Sequence, residues 1–186
     1  MLVGYGGSGK SSSTKAFVDM LNHYYKSFLL LAPTGRAAKV LSGFTNENAM
    51  TIHRGLMYMP PSDWGYNEEN KLPYDVVIVD EFSMVDIFLF RHLLEAIDFN
   101  RTKLLLIGDD AQIPSVGAGN VLYDLLKYKN IPTVTLDKVF RYGKGGLSTV
   151  ATDTRTSTEY LDKDKSGIQV FGEDQSYIFM PILQDK

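Results

Sequence analysis

Residues 4–11 form a glycine-rich loop whose residue types and spacing suit the binding of phosphate groups. The segment Gly4-Tyr5-Gly6-Gly7-Ser8-Gly9-Lys10-Ser11 matches G-x-x-x-x-G-K-[ST] at every fixed position. Glycines let the backbone curl so that its N–H groups point at phosphate oxygens, and a helix that begins near Lys10 adds the positive end of its dipole. Lys10 would reach the β- and γ-phosphates of a nucleotide, and Ser11 would hold Mg²⁺.

The alternative for this segment is a flexible glycine loop without a ligand. Apolar residues precede the loop and a helical pattern follows it, as a phosphate loop requires. The sequence therefore predicts nucleotide binding. The predicted binding residues are Gly6, Gly7, Ser8, Gly9, Lys10, Ser11 and Ser12.

Two acids at the end of an apolar run could supply a metal ligand and a general base. Asp80 and Glu81 directly follow the run 76–79. At the carboxyl end of a buried strand, Asp80 would hold Mg²⁺, directly or through water, and Glu81 would polarise a water for attack on the γ-phosphate. Two adjacent acids could instead cap a helix, so this prediction depends on the glycine-rich loop in the same chain.

Two further polar residues could assist hydrolysis. Gln112 follows the apolar run 104–107 and could sense the γ-phosphate and orient the attacking water, although a solvated loop amide is the alternative. Arg141 follows the strand-like segment 133–136 and could neutralise charge that develops on the γ-phosphate, as arginine fingers do. The predicted catalytic residues are Lys10, Asp80, Glu81, Gln112 and Arg141.

The elements that must position these residues alternate between strands and helices. Runs that are apolar on both faces, at 28–32, 76–79 and 104–107, predict parallel strands covered by helices on each side. Helical patterns cover four segments: 10–25, 34–42, 85–98 and 118–129. This is the βαβ rhythm of a parallel α/β fold.

Two regions depart from this rhythm. Residues 60–73 are polar and turn-rich, contain the only tryptophan, and predict an inserted loop or small hairpin. After residue 143 the pattern weakens to a Ser/Thr-rich helix at 146–157 and a charged turn at 162–165. Two strands are then predicted, at 168–171 and 176–180.

Length and composition fit one ordinary globular domain. The 186 residues are 44% hydrophobic and 22% charged, which argues against disorder, collagen and coiled coil. With no cysteine, disulfide scaffolds, cysteine nucleophiles and zinc–thiolate sites are excluded, and a cytoplasmic location is compatible. No apolar run approaches a membrane span and no signal peptide is evident, so no membrane partner is expected.

The charge is unevenly distributed along the chain. Residues 1–59 have six Lys/Arg and two Asp/Glu, a net charge of +4, whereas the remainder has thirteen and twenty, a net charge of −7. The overall charge of −3 argues against a general polyanion binder, but the first segment allows a local one.

The order of these motifs resembles the RecD-like family of superfamily-1B DNA helicases, from Gly4 to about Arg155. Besides the glycine-rich loop, the shared motifs are 31–39 (LAPTGRAAK), 51–54 (TIHR), 79–86 (VDEFSMVD), 108–117 (GDDAQIPSVG) with Gly119 and Asn120, and 139–141 (VFR). Ser8 and Tyr142 depart from the family, which usually has Thr and Gln there.

The resemblance implies the first RecA-like motor domain of an ATP-dependent helicase. Such a domain is an α/β P-loop NTPase with a mostly parallel sheet and helices on both faces. It uses ATP and Mg²⁺, and the complete helicases of this family move along single-stranded DNA in the 5′-to-3′ direction. Here the polarity comes only from the resemblance.

The resemblance also implies contacts with single-stranded DNA. The implied contact residues are Pro33, Thr34, Gly35, Arg36, Thr51 and His53. Thr34 can cap a helix whose N-terminus would attract a DNA phosphate, and Arg36 and Lys39 add positive charge. For His53, a buried packing role is the alternative.

The 60–73 insertion falls where this family places a small second subdomain (1B) with a pin, a β-hairpin that splits the duplex. Trp64 or Tyr66 could stack on the base pair at the fork. Alternatively, these aromatic rings pack onto the domain, and the sequence does not decide between the two roles.

Nothing after residue 155 resembles the second motor domain of such helicases. We therefore expect a fragment with motor domain 1A at 1–155, the inserted hairpin at 60–73, and crossover or terminal strands at 156–186. Its partners would be single-stranded DNA and the second RecA-like domain of a longer chain. Because translocation needs two domains that close around ATP, we expect this chain to bind nucleotide but not to unwind DNA.

Two other functions stay open at this stage. A P-loop kinase would transfer phosphate to a metabolite, but Asp80, Glu81 and Gln112 favour water as the acceptor, and no arginine-rich lid is evident. A nucleotide-gated DNA-binding module would not hydrolyse ATP, and Glu81 argues against it. Repair, recombination, phage replication and plasmid transfer all remain possible processes, as does a preference for RNA over DNA.

Overall fold

The computed structural model of the chain describes residues 1–138, 150, 153–154, 159, 161–162, 167–171 and 177–180. Two compact units form, Met1–Lys138 and Val139–Lys186. Arg141 and most of the predicted helix 146–157 lie outside the described residues. Within the described part of the chain, no helix has the length and apolar character needed to cross a membrane.

The first unit contains a six-stranded parallel sheet, which agrees with the mostly parallel sheet that the sequence predicted, although the edge strand at 49–51 was not predicted. Its strands are β1 (Leu2–Gly4), β2 (Phe28–Ala32), β3 (Ala49–Thr51), β6 (Val76–Val79), β7 (Lys103–Gly108) and β8 (Val134–Leu136). Their spatial order is β3-β2-β6-β7-β1-β8, and every pair is parallel.

The helices of the first unit lie where the sequence predicted them, with shifted ends, except for a single-turn helix at 52–55 that was not predicted. They are α1 (Lys10–His23), α2 (Gly35–Thr45), α3 (Ile52–Gly55), α4 (Ile87–Glu95) and α5 (Val121–Lys127). The predicted helix 85–98 is shorter because a 3₁₀ turn (Phe82–Met84) precedes it and Asp86 caps it by accepting from Leu89 N at 2.8 Å. The predicted helix 118–129 starts late because Gly119 has φ +92, which is not helical.

Alternate residues of the central strands face two different hydrophobic clusters. Leu29, Leu31, Val77 and Val79 belong to one cluster, which α4 covers, whereas Leu30 and Ile78 belong to the other, together with Val18 of α1 and Leu41 of α2. Both faces of the sheet are therefore buried, which explains why these strands are apolar at every position.

Among the described residues, the parallel sheet brings the predicted phosphate-binding, acidic and DNA-contacting motifs to one edge. The glycine-rich loop follows β1, and the Pro33–Arg36 and Thr51–Arg54 segments follow β2 and β3. Asp80 follows β6 and Asp109 follows β7. Because the carboxyl ends of parallel strands lie at the same edge, the candidate residues meet there although they are far apart in sequence.

The predicted insertion is a hairpin that begins earlier than expected. Its strands are β4 (Tyr58–Met59) and β5 (Asp63–Trp64), paired antiparallel with Tyr58 opposite Trp64. In the second unit, β9 (Gln169–Phe171) and β10 (Tyr177–Phe179) form a second antiparallel pair, close to the two strands that the sequence predicted.

Candidate functional site

The glycine-rich loop curls between β1 and α1. Gly7 and Gly9 have φ values of +84 and +96, which residues other than glycine rarely adopt. The backbone N–H of Ser8 donates a hydrogen bond to Tyr5 O at 3.0 Å. Gly4 has no room for a side chain, since an added Cβ would lie 2.5 Å from Ser8 Oγ and 2.8 Å from Leu136 O. The backbone therefore adopts the tight turn that a phosphate-binding loop requires.

Lys10 lies across the loop at the first residue of α1. Its Nζ donates to Gly4 O at 2.5 Å and to Tyr5 O at 3.1 Å, and lies 3.8 Å from Asp109 Oδ2. The Asp109 side chain is 1% exposed, so this ion pair is largely shielded from solvent. The Lys10 ammonium group is thus held at the loop by oxygen atoms whose place the phosphate oxygens of a nucleotide could take.

Asp80 and Glu81 lie at the carboxyl end of β6, as predicted. Burial raises the pKa of the Asp80 carboxyl above its ordinary range, and the negative charge of Glu81 adds to this. The hydrogen bond from Glu81 N to Asp80 Oδ1, at 2.9 Å, and the positive charge of Lys10 oppose the shift. A nearby cation would stabilise the ionised form of this carboxyl.

Glu81 has a strained backbone and an unpaired carboxylate oxygen. Its φ of 52 and ψ of 39 place a non-glycine residue in the left-handed region. Among the residues that the structure describes, its Oε2 is buried without a hydrogen-bond partner. An acceptor held in this way suits a general base that binds a water molecule.

The donors at this edge fit a hard cation such as Mg²⁺, which prefers oxygen ligands. Ser11 presents an exposed side chain in the first turn of α1, and Asp80 presents a carboxylate at the end of β6. When bound, Mg²⁺ would neutralise phosphate charge. Ser11 and Asp80 are the residues that would hold it.

Asp80→Asn is expected to stabilise the nucleotide-free protein at neutral pH. The pKa of the Asp80 carboxyl is raised above its ordinary value of 3.8 in the folded state. Protonated Asp80 therefore stabilises the folded protein at low pH, and this contribution to the free energy of unfolding is lost as the pH rises through the raised pKa. Asparagine keeps the neutral form at every pH.

Thermal unfolding midpoints of the wild type and Asp80→Asn without Mg²⁺ would test this. The variant should have the higher midpoint at pH 7, and the difference should shrink as the pH falls toward 4. An equal or lower midpoint at pH 7 would contradict the predicted burial cost. Asp63→Asn, on the exposed hairpin, is the matched control and should change nothing.

Gln112 is exposed and connects the loop after β7 to the turn after β6. Its Oε1 accepts a hydrogen bond from Ser83 Oγ at 3.3 Å, and its backbone N–H donates to Asp109 O at 3.2 Å. The amide Nε2 can therefore still donate to a phosphate or a water. Ser83 is buried, so it can restrict the orientation of this side chain.

The loop after Gln112 packs against the beginning of α4. Ile87 N donates to Ala118 O at 3.0 Å, and a Cβ added to Gly117 would lie 2.4 Å from Asp86 Oδ2. The segments that follow β6 and β7 are thus joined at several points beyond the Ser83–Gln112 hydrogen bond.

The predicted DNA-contacting residues lie at the other end of the same edge. Thr34 caps α2 by accepting from Ala37 N at 3.2 Å, as predicted, and Gly35 and Arg36 are exposed in the first turn. Pro33 is half-buried just before this cap. The N–H groups at the start of α2 and the Arg36 guanidinium thus reach solvent, where they can meet phosphate.

Thr51 and His53 lie next to this segment, after the edge strand β3. Thr51 caps the single turn of α3 by accepting from Arg54 N at 3.2 Å. His53 is exposed and stacks on Trp64, with ring centroids 5.6 Å apart. It is therefore not the buried packing histidine that the sequence had left as an alternative.

Trp64 is half-buried and does not project from the hairpin as a free ring. The indole packs against the larger hydrophobic cluster and stacks on His92 of α4, with centroids 4.4 Å apart. Tyr66 also packs against this cluster. The aromatic rings of the hairpin thus pack onto the domain in this structure.

Sequence reasoning did not assign roles to Asp109, Ser83 or His92. The polar end of the third apolar run was visible in the sequence, and Asp109 is its first residue. Ser83 lies in the 79–86 motif and His92 in a helical pattern, but neither pattern shows their contacts, which come from the loop after β7 and from the hairpin.

A family model described as an AAA domain matches residues 1–170. The chain is 40% identical, over 141 residues, to the ATP-dependent RecD2 DNA helicase of Deinococcus radiodurans; the match covers 76% of this chain and 19% of that protein. It is 34% identical to the RecBCD enzyme subunit RecD of Mycolicibacterium smegmatis, over 68% of this chain and 27% of that protein. The chain thus spans about a fifth to a quarter of these relatives.

Solved structures with the same fold include Pif1 helicases. One comes from work on DNA unwinding at forked dsDNA by two coordinating Pif1 helicases, with a TM-score of 0.56 and 22% identity over 88% of this chain and 45% of that chain. Another is Bacteroides sp Pif1 in complex with ADP-AlF4, with a TM-score of 0.55 and 22% identity over 88% of this chain and 43% of that chain. At this identity the likeness shows the RecA-like fold alone.

Proposed function

Because this chain belongs to the AAA-domain family and is similar to RecD-like helicases, we propose that it is the ATP-binding motor domain of an ATP-dependent DNA helicase. Its substrates would be Mg·ATP and single-stranded DNA. A cytoplasmic location is part of this proposal.

The observation that carries this proposal is the arrangement of two residue groups along one sheet edge. The nucleotide group follows β1, β7 and β6, which are neighbours in the sheet, and the DNA group follows β2 and β3. Strand β6, which Asp80 follows, is the strand of the nucleotide group that pairs with β2 of the DNA group. A change at the γ-phosphate can therefore reach the DNA group through adjacent strands.

The side chains at this edge divide the chemistry of ATP hydrolysis among them. The loop N–H groups and Lys10 would bind the phosphates, and Glu81 would take a proton from the attacking water. Gln112 would orient that water, with Ser83 restricting its amide. In our proposal Arg141 would neutralise charge on the departing phosphate.

The complete motor would include residues beyond this chain. The curated relatives are about four to five times as long as the matched segment, so the second RecA-like domain, the 5′-to-3′ direction and unwinding are proposals about a longer protein. The division at residue 155, between motor domain 1A and terminal strands, is a proposal of the same kind.

Phosphate release from Mg·ATP, with and without a short oligo-dT, would test this function. We expect the chain to bind Mg·ATP and to release free phosphate slowly, with little stimulation by oligo-dT, because one domain cannot close around the nucleotide. The same assay on a chain extended through a second motor domain should show strong stimulation.

Two outcomes would contradict the proposal. If the extended chain binds Mg·ATP but oligo-dT does not stimulate its phosphate release, the helicase function is wrong. If the γ-phosphate instead appears on an acceptor molecule rather than as free phosphate, the chain is a kinase.

A further inference from the structure

A cluster of four rings, the aromatic stack, joins the hairpin to α3 and α4. It consists of His53, Tyr58, Trp64 and His92. Trp64 lies at its centre, with ring centroids 5.6 Å from His53, 4.6 Å from Tyr58 and 4.4 Å from His92. These separations are those of favourable aromatic pairs. The stack therefore connects an exposed candidate DNA-contacting residue to the body of the domain.

Helix α3 cannot hold His53 in one orientation by itself. It has four residues, a single turn that has no stability in isolation. Its inner side is fixed, since Ile52 and Gly55 are buried and a Cβ added to Gly55 would lie 2.4 Å from Leu31 Cδ2. Within the described part of the chain, the outward His53 side chain is restricted by ring contacts with Trp64 and with Tyr58, each with ring centroids 5.6 Å away.

Backbone hydrogen bonds of the hairpin hold Trp64 beside α3. Gly65 N donates to Met57 O and Tyr66 N donates to Leu56 O, each at 3.1 Å. Leu56 is fully buried and follows α3 directly. The backbone hydrogen bonds therefore tie the residues around the indole to the residues that end α3.

Helix α4 supports the indole from the body of the domain. His92 Nδ1 lies 3.2 Å from Glu95 Oε2, while Glu95 Oε1 accepts from Arg91 Nε at 2.6 Å. The neighbouring Leu93 is fully buried, which fixes the rotation of α4. His92 is thus held on a rigid element, and Trp64 packs against it.

From this geometry we propose that Trp64 is a positioning residue, which holds His53 and α3 in the orientation that binds single-stranded DNA. The role rests on the proposed DNA function. Stacking limits the rotamers of His53 before DNA arrives, so less conformational entropy is lost on binding. His92 acts through Trp64, and neither residue has to touch DNA itself.

This role makes a different prediction from that of a pin at the duplex fork. A pin residue acts only on the duplex, so its removal spares binding of single-stranded DNA and lowers unwinding. A positioning residue acts on the single-strand contact, so its removal weakens binding of oligo-dT by this chain, without any fork.

The test measures oligo-dT affinity by fluorescence anisotropy for the wild type, Trp64→Ala and Trp64→Phe. We expect Trp64→Ala to weaken binding about tenfold and Trp64→Phe to restore it to within about threefold, because phenylalanine keeps a ring to stack on. Affinity for a fluorescent ATP analogue should not change. Tyr24→Ala is the matched control, since Tyr24 is 65% exposed at the opposite edge of the sheet and should alter neither affinity.

His92→Ala provides a second test that leaves the hairpin sequence intact. It removes the ring behind the indole and should weaken oligo-dT binding about threefold, again without an effect on nucleotide. The emission of Trp64, the only tryptophan, should shift in this variant and when oligo-dT binds the wild type.

The results separate this inference from the function on which it rests. Unchanged oligo-dT affinity in both Trp64→Ala and His92→Ala would overturn the positioning role and leave the DNA function standing. Parallel loss of DNA and nucleotide affinity would indicate a general folding role instead. A wild-type chain that binds nucleotide but no oligo-dT would overturn the proposed DNA contact, and the positioning role with it.

Discussion

Lys10→Ala is expected to weaken Mg·ATP binding by about ten- to a hundredfold. A hydrogen bond to a charged group contributes about 1.5–3 kcal/mol, and each 1.4 kcal/mol is a factor of ten in affinity. In the structure, Lys10 Nζ is already held at the centre of the glycine-rich loop by two backbone carbonyls and by Asp109. Little side-chain entropy should therefore be lost when it moves to the phosphates. Titration with a fluorescent ATP analogue would measure the effect.

Lys15→Ala is the matched control for this variant. Lys15 lies on the same helix, but its Nζ is paired with Asp19 Oδ1 at 3.0 Å on the surface, and such pairs contribute little. The control should bind nucleotide as the wild type does. If Lys10→Ala also matched the wild type, residues 4–11 would not be the phosphate-binding loop.

Glu81→Gln is expected to slow ATP hydrolysis by about 10²–10⁴-fold, the usual contribution of a general base. Glutamine keeps the size of the side chain but does not accept a proton at neutral pH. The affinity for Mg·ATP should persist, because Lys10 and the loop N–H groups bind the phosphates. Single-turnover phosphate release with protein in excess would measure hydrolysis, and the ATP analogue would measure binding.

Glu68→Gln removes the same charge from the exposed bend that follows β5 and should leave hydrolysis unchanged. If Glu81→Gln hydrolysed ATP at the wild-type rate, another group would have to accept the proton. Loss of nucleotide binding together with hydrolysis would instead assign Glu81 to the binding of Mg²⁺ or phosphate.

The fold class could be predicted from the sequence because the burial of strands and the capping of helices leave local patterns along the chain. Runs such as Val76–Val79 are apolar at every position because both faces of a parallel strand are covered, so they could be recognised without a structure. The caps decided the helix ends. Thr34 was recognised as the cap of α2. Asp86 was not recognised as the cap of α4, because Val85 fits the apolar stripe of the predicted helix and moved its predicted start to residue 85.

The parts of the candidate site that are formed by residues close together in sequence could be predicted. Contacts between residues that are distant in sequence could not. The glycine-rich loop and the Asp80–Glu81 pair are local motifs, and the structure places both at the carboxyl edge of the sheet. Arg141 stays a prediction, since it lies outside the described residues.

The sequence by itself determined the local chemistry of this protein, namely a loop shaped for phosphate, two acids at a strand end and a capped helix start. Only the tertiary structure decided which of these groups are neighbours. The chain order of the strands differs from their order β3-β2-β6-β7-β1-β8 in the sheet, so Asp109 meets Lys10 across 99 residues of chain. The same packing turns Trp64 inward to His53 and His92. Periodicity predicts which face of an element is buried, but the partner of a side chain depends on how distant elements pack.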